Sequence, residues 1–291
     1  MIACVKEAED KRAAIAHFNI SDFAALRGIV SAVRLVSSRF HTNLPLFIGL
    51  SEGESDYVGI KTAKMLVDEV RASGINVFLN ADHVHSLERL KAVVMAGYDS
   101  AVFDVSDRPI EENIKLTREA VSIARNINPK FVVEGEVGHI GGSSKLLEIL
   151  PSDARISSEL LTTPEEAKRY VEETGVDMLA PAVGNIHGMM KDFPNPAIDI
   201  RRIRDIAKAA GIPVVLHGGS GISDEEFIQA IYAGIGVIHI NTELRVAWRR
   251  GLETSLAADR NEVAPYKLFV LSEKAVEAVA FERLKLFAKL V

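Results

Sequence analysis

Short runs rich in Val, Ile, Leu and Phe alternate along this chain with longer amphipathic segments. The apolar runs are AAIAHF, LPLFIGL, INVFL, SAVFDV, FVVEGEV, VDMLAP, IPVVLH and GVIHIN. Near-continuous apolarity over five to seven residues is the signature of parallel strands buried on both faces, and the 3.6-residue periodicity between them is that of covering helices. The helical segments begin at DFAALRGIVSAVRLVSS, YVGIKTAKMLVDEVRAS and SLERLKAVVMAG. They continue through EENIKLTREAVSIARN, PEEAKRYVEETG, IRRIRDIAKAAG, DEEFIQAIYAG and TELRVAWRRGLETSL. Several end on a glycine just ahead of the next strand, at Gly74, Gly97, Gly175, Gly211 and Gly234, as helix C-termini commonly do. Eight strand–helix units predict an α/β fold, a (β/α)8 TIM barrel, with an additional C-terminal helix from SEKAVEAVAFERLKLFAKL that packs on the barrel or on a second subunit.

The length of 291 residues exceeds the roughly 250 of a typical barrel by one helix and some loop, so a single domain over 1–291 is expected. Composition is that of a globular protein with a large core, at 48% hydrophobic and 25% charged residues. A net charge of -6 with no basic block removes the electrostatic drive for nucleic acid or anionic membrane and leaves small molecules as the expected partners. The one cysteine, Cys4, excludes an intrachain disulfide or a thiolate metal cluster and fits a reducing cytoplasm. The opening MIACVKEAEDKR, lacking a long apolar core, reads as neither signal peptide nor membrane span.

Barrels of this kind do their chemistry at the C-terminal ends of the strands. In order, those ends carry Asn19, Ser51, Asp82 with His83, Asp104, Glu134 with Glu136, His187, His217 and Asn241. One histidine at such a place is usually a hydrogen-bonded structural residue. Three, after strands three, six and seven, converge on one mouth and point to a metal. Neutral imidazoles suit Zn2+, and three protein ligands leave a coordination position for substrate. After strand seven come Gly218, Gly219, Ser220 and Gly221, and after strand eight Asn241 and Thr242, where backbone N–H groups and a helix N-terminus often hold phosphate. No lysine falls at a strand end, which disfavours Schiff-base chemistry.

The segments FNISD, GLSEGESDYVG, LNADHVHS, YDSAVFDVSDRPIEENIKLT, VEGEVGHIGG, VGNIHG, VVLHGGSG and NTELR, in register from about residue 12 to 250, resemble the class II, metal-dependent fructose/tagatose-bisphosphate aldolases. The resemblance implies a carbon–carbon lyase of carbohydrate metabolism and glycolysis. Such an enzyme splits a ketose 1,6-bisphosphate into dihydroxyacetone phosphate and an aldehyde, with Zn2+ as Lewis acid for the charge left on the ketone oxygen. It implies His83, His187 and His217 as zinc ligands and Asp82 as acid/base at the C4 hydroxyl. Asp104 and Glu136 resemble an alternative metal site, and Ser51 and Gly188 positions around the phosphate and a monovalent cation (Na+ or K+). A homodimer or homotetramer is the expected assembly.

Three departures bear on substrate and mechanism. The family's Glu-Asp pair on the loop after E-x-E-x-G-x-x-G-G is replaced here by GGSSKLLEILPSD, leaving Glu148 as the carboxylate that could substitute. His239 stands where the family usually has Asn on the strand that contacts the three-carbon donor; a histidine there hydrogen-bonds the donor, titrates, or faces elsewhere. Pro265, Tyr266 and Lys267 replace a P-R-K-type segment, and with it the Arg that reaches a distal phosphate. Two alternatives therefore stand beside the bisphosphate reading: an aldolase of the same mechanism acting on another sugar (mono)phosphate, and a metal- and phosphate-binding homologue without turnover. Of the other histidines, His41 is expected in solvent, His85 near the mouth, His139 at the start of the 139–159 loop and His17 inside strand one.

Overall fold

A computed structural model describes residues 1–154 and 156–290; Arg155, within the 139–159 loop, and Val291, the last residue of the expected 1–291 domain, lie outside them. Eight strands close into a parallel barrel: β1 (Ile15–Asn19), β2 (Leu46–Ser51), β3 (Val77–Val84), β4 (Ser100–Phe103), β5 (Val132–Val137), β7 (Met178–Pro181), β9 (Val214–Leu216) and β10 (Ile235–Ile240). Each coincides with one of the eight apolar runs. Two further strands, β6 (Gly142–Leu147) and β8 (His187–Met190), were not foreseen. They pair in parallel with Gly142 opposite His187, forming a small sheet apart from the barrel. Their mixed polar sequence has no burial periodicity, so only the pairing defines them.

The helices are α1 (Ile2–Asp10), α2 (Phe23–Phe40), α3 (Glu52–Val58), α4 (Ile60–Ala72), α5 (Leu87–Met95) and α6 (Ile110–Ile127), followed by α7 (Pro164–Thr174), α8 (Ile200–Ala210), α9 (Asp224–Ala233), α10 (Thr242–Ala258), α11 (Pro265–Leu268) and α12 (Val270–Phe287). Local chemistry sets several of their ends. In α7, Thr163 and Glu166 form a reciprocal capping box, Pro164 occupies the first turn and Gly175 closes the helix in the left-handed conformation. The helix expected over 57–73 starts earlier and is split at Gly59, whose φ of 91° separates α3 from α4. The C-terminal α12 packs on α2 and α10 and buries Val276, Ala280, Leu284 and Phe287.

The N-terminal segment, read only as neither signal nor span, is the helix α1. Its fully buried Val5 closes a cluster inside the barrel with Ile15, Phe47, Val132, Met178, Val215 and Val237. The larger apolar layer lies between strands and helices. Removing a side chain as deep as Phe47 would cost about 3–5 kcal/mol. The barrel is thus filled below and sealed outside, and its polar interior residues gather at the opposite end. Among the described residues no helix is long and apolar enough to cross a membrane.

Candidate metal centre and active-site mouth

Consecutive residues of a strand point to opposite faces, so Asp82 and His83 would not ordinarily share a cavity. Here the pairing of β3 with β4 slips between Ala81 and Val84, and His83 takes a left-handed φ of 53°. The irregularity turns both side chains into one cavity of about 430 Å3 at the C-terminal mouth. A β-strand histidine at positive φ is strained, and here the strain delivers two functional groups from adjacent positions.

His83, His187, His217 and Glu136 each offer a ligand atom, and these atoms lie within 4.8 Å of one another. His187 does not stand at a barrel-strand end as expected. It lies six residues past β7, at the start of β8, and reaches the centre because the small sheet folds over the mouth. His83 Nδ1 is 2.9 Å from Asp104 Oδ2, and His217 Nε2 is 2.7 Å from Glu134 Oε1. Ser106 donates to Glu136 Oε1 at 2.8 Å. Each carboxylate orients a group at the centre, and Asp104 and Glu134 hold the rings in the way that metal-binding imidazoles are usually held.

The residues fit a cation. His217 Nδ1 and Glu136 Oε2 face each other at 3.2 Å, buried and without the alignment of a hydrogen bond, and neither has a hydrogen-bond partner. Buried polar atoms are rarely left so unless something else satisfies them. Burial, with the neighbouring His83 and His217, lowers His187 to about 3 and keeps it in the neutral form a metal needs. Burial also opposes charge on His83 and His217, but carboxylates outweigh it. Asp82 and Asp104 raise His83 to about 9, and Glu134 and Glu136 hold His217 well above the usual imidazole range.

Asp82 sits beside this centre, its carboxyl well below the ordinary range despite burial because His83 and His239 lie against it. Asn19 Nδ2 donates to Asp82 Oδ2 at 2.8 Å, and His239 Nδ1 is 3.2 Å from Asp82 Oδ1. His239 therefore faces the acid/base candidate from within the barrel. Its ring stacks on His17, centroids 3.5 Å apart and 2° from parallel, and His17 accepts from Asn80 at 3.0 Å. Ser100 fixes the Asn80 amide by donating to its oxygen at 2.7 Å. His17 is wholly buried, pushed down to about 4 by burial, and His239 lies well below the usual range for the same first reason.

Opposite lies the glycine-rich turn. Gly218 has φ 62°, and a Cβ there would lie 2.2 Å from Ile186 O; one on Gly188, at φ 107°, would lie 2.6 Å from Ser143 O. Only glycine allows the three loops to meet. Gly219 donates its N–H to His239 O at 3.1 Å, closing the base of the turn. Ser220 Oγ accepts from the N–H groups of Asn241 (3.3 Å) and Glu243 (3.1 Å), tying the turn to the N-terminus of α10 and leaving its own O–H to donate. Thr242 is buried at that helix start and also lines the cavity.

Ser51 caps α3: its N–H and O–H donate to Glu54 Oε2 at 2.8 and 2.9 Å. Glu54, Arg245 and Asn195 went unassigned in the sequence. Glu54 is 6% exposed, accepts from Asn19 at 2.9 Å and pairs with Arg245. Arg245 also donates to Ser144 O at 2.8 Å, holding β6 to the mouth. The amide of Asn195 joins Gly188 O (3.1 Å), Ser220 O (3.0 Å) and Met190 N (2.9 Å). The S-x-x-E spacing at 51–54 is a capping signal in plain view; the contacts of Arg245, 101 and 191 residues away, leave none, and those of Asn195 follow no helix or strand spacing.

Glu148 stands elsewhere. Its side chain is 80% exposed and 3.6 Å from Lys191 Nζ, and the 139–159 loop presents Ser143 and Ser144 to the cavity instead. His85 and His139 line the mouth, and His41 closes α2 in solvent. Lys267 pairs with Glu262 at 2.8 Å and Tyr266 is exposed. Among the described residues lining the mouth there is no lysine.

The arrangement can hold a divalent cation, an anion on backbone and hydroxyl donors, and a carboxylate base between them. Comparison with known proteins converges on the same chemistry. A family model described as fructose-bisphosphate aldolase class-II matches residues 1–290. The fructose-bisphosphate aldolase of Geobacillus stearothermophilus is 31% identical, over 97% of this chain and 94% of that protein. The 6-phospho-5-dehydro-2-deoxy-D-gluconate aldolase of Shouchella clausii is 33% identical, over 99% and 93%. The crystal structure of the YdjI aldolase from Escherichia coli K12 superposes with a TM-score of 0.79 at 29% identity, covering 98% of this chain and 95% of that one.

Proposed function

Because this chain belongs to the class II fructose-bisphosphate aldolase family, and is thereby a metal-dependent carbon–carbon lyase, we propose that it splits and forms a phosphorylated ketose on Zn2+ held by His83, His187 and His217. The products of cleavage are dihydroxyacetone phosphate and an aldehyde. The observation that carries this reading is the meeting of three imidazoles and Glu136 around one point beside Asp82.

When bound, the cation supplies Lewis-acid stabilisation of the negative charge that cleavage leaves on the ketone oxygen. Asp82, locked by Asn19 and faced by His239, takes the C4 hydroxyl proton as the C3–C4 bond breaks. The phosphate sits against Gly218, Gly219 and Ser220 and at the start of α10, with Thr242 and Asn241, where the helix dipole favours an anion. Arg245 and Glu54 hold the rim on which Ser51 and Asn19 stand. Asp104 and Glu136 serve as the alternative cation ligands, and a monovalent cation, Na+ or K+, binds at the turn carrying Gly188. That two relatives act on differently phosphorylated compounds by name, one of them carrying a single phosphate, supports one mechanism spanning several sugar phosphates. We place the enzyme in the cytoplasm as a homodimer or homotetramer, a state that light scattering reads directly.

The test is release of dihydroxyacetone phosphate from a panel of ketose mono- and bisphosphates by the zinc-loaded protein. Release should vanish after chelation and in His217→Ala, and return to the wild type alone on adding zinc. Release that survives chelation would overturn the metal reading.

A further inference from the structure

A second cavity of about 340 Å3 adjoins the mouth and shares Asn19 and Arg245 with it. Asn19 is the residue that grips Asp82, so the two cavities meet where the C4 hydroxyl is handled. With the three-carbon half placed at Ser220 and Thr242, the side of the mouth that borders this space at Asn19 and Arg245 is the one left for the carbon chain beyond C4. Trp248 and Phe269 form its walls, ring centroids 5.6 Å apart, with Tyr57 at the entrance, 82% exposed. The Trp248 Nε1–H is buried and turned toward Asp22, so this side chain offers a ligand its ring and not its donor.

The charges decide what fits. Among the described residues lining this cavity only Asp22 and Arg245 carry charge. Asp22 caps α2 by accepting from Ala25 N at 2.7 Å, and Arg245 is committed to Glu54 and Ser144. Lys267, on the neighbouring α11, is held at 2.8 Å by Glu262 and does not line the space. A second phosphate placed here would lose its hydration, gain no free cation and face a carboxylate, which is a costly burial. A hydroxylated carbon chain, by contrast, lays its C–H groups on the aromatic rings and finds a hydroxyl partner in Ser21.

We propose that this cavity receives the aldehyde half of the ketose and selects an uncharged, hydroxylated end, so that the preferred substrate is a ketose 1-phosphate of six or more carbons rather than a 1,6-bisphosphate. The inference rests on the aldolase function proposed above. The zinc-loaded full chain is assayed for condensation of dihydroxyacetone phosphate with glycolaldehyde, glyceraldehyde and glyceraldehyde 3-phosphate. The expected kcat/KM favours glyceraldehyde over its 3-phosphate at least tenfold. Trp248→Ala loses about tenfold with glyceraldehyde, chiefly in KM, and less with glycolaldehyde, which is too short to reach the rings. Phe269→Ala gives the same ordering should Trp248→Ala fail to fold. Trp248 is the only tryptophan, so its emission reads occupancy directly. Titration with a ketohexose 1-phosphate should change it to saturation, and dihydroxyacetone phosphate alone should not. Preference for glyceraldehyde 3-phosphate, or equal losses with all three aldehydes, overturns the subsite while leaving the aldolase intact. Absence of condensation with every aldehyde, together with no solvent exchange of the dihydroxyacetone phosphate proton, overturns the aldolase reading itself.

Discussion

Gly49→Ala, a single added methyl group on β2, should disable Asp82 from a distance. A Cβ at position 49 would lie 2.1 Å from His17 Cε1 and 2.4 Å from Nε2. Carbon atoms in contact prefer about 3.5–4.0 Å, so the imidazole must retreat by roughly 1.5 Å. It has nowhere to go: the ring is fully buried, 3.0 Å from Asn80 Nδ2 and stacked 3.5 Å from His239. Overpacking of a filled interior costs roughly 1–3 kcal/mol, and stranding the Asn80 donor adds roughly 1–3 kcal/mol. A total near 3 kcal/mol would lower Tm by about 5 °C for a chain of this size. The displaced stack also moves His239 off Asp82, and a misplacement of about 1 Å at a catalytic group can cost on the order of 10²-fold in rate. Urea denaturation and the kcat of dihydroxyacetone phosphate release measure both effects. The double variant Gly49→Ala/His17→Ala relieves the clash and should recover part of the stability, giving a coupling energy. A Gly49→Ala protein that melts within about 1 °C of wild type and keeps its kcat would refute the proposed rigidity of the stack.

Two further expectations concern parts of the fold that sequence alone left blank. Arg245→Met should free β6, raising KM and accelerating amide hydrogen exchange over Gly142–Leu147, because the bond to Ser144 O is lost. It should also destabilise by about 2 kcal/mol, less than the roughly 3–5 of a fully buried pair, because the Arg245 side chain is 39% exposed although that of Glu54 is buried. Unchanged exchange in β6 would show that the small sheet is held by other contacts. At the opposite end of the barrel, burial raises Glu9 to about 7 from an ordinary 4.5. A raised carboxyl pKa means that its contribution to stability is complete below about 4.5 and is lost as pH rises through about 7. Glu9→Gln should therefore stabilise above pH 7 by about 1 kcal/mol, after discounting for solvent around this half-buried group. A stability gain equal at pH 4 and pH 8 would contradict the assignment.

The sequence carried the architecture because each strand and helix is written in local burial periodicity and turn chemistry, which act over a few residues. Eight apolar runs predicted eight barrel strands, and the turns holding His83, His187 and His217 announced ionisable groups at one end of them. Those signals need no knowledge of what lies across the barrel. What only tertiary structure decided are the consequences of closure. The slip between β3 and β4 that aims Asp82 and His83 together arises from pairing, as does the small sheet that carries His187 inward. The bond from Arg245 to Glu54 spans 191 residues, and the stack of His17 on His239 joins the first strand to the last. The displacement of Glu148 from the cavity and the use of α1 as a plug under the barrel are of the same kind. Residues so far apart in the chain share no local constraint, and their contact energies exist only once the ring of strands has shut. The sequence therefore specified which groups are available at the mouth, and the closed barrel specified which of them face one another.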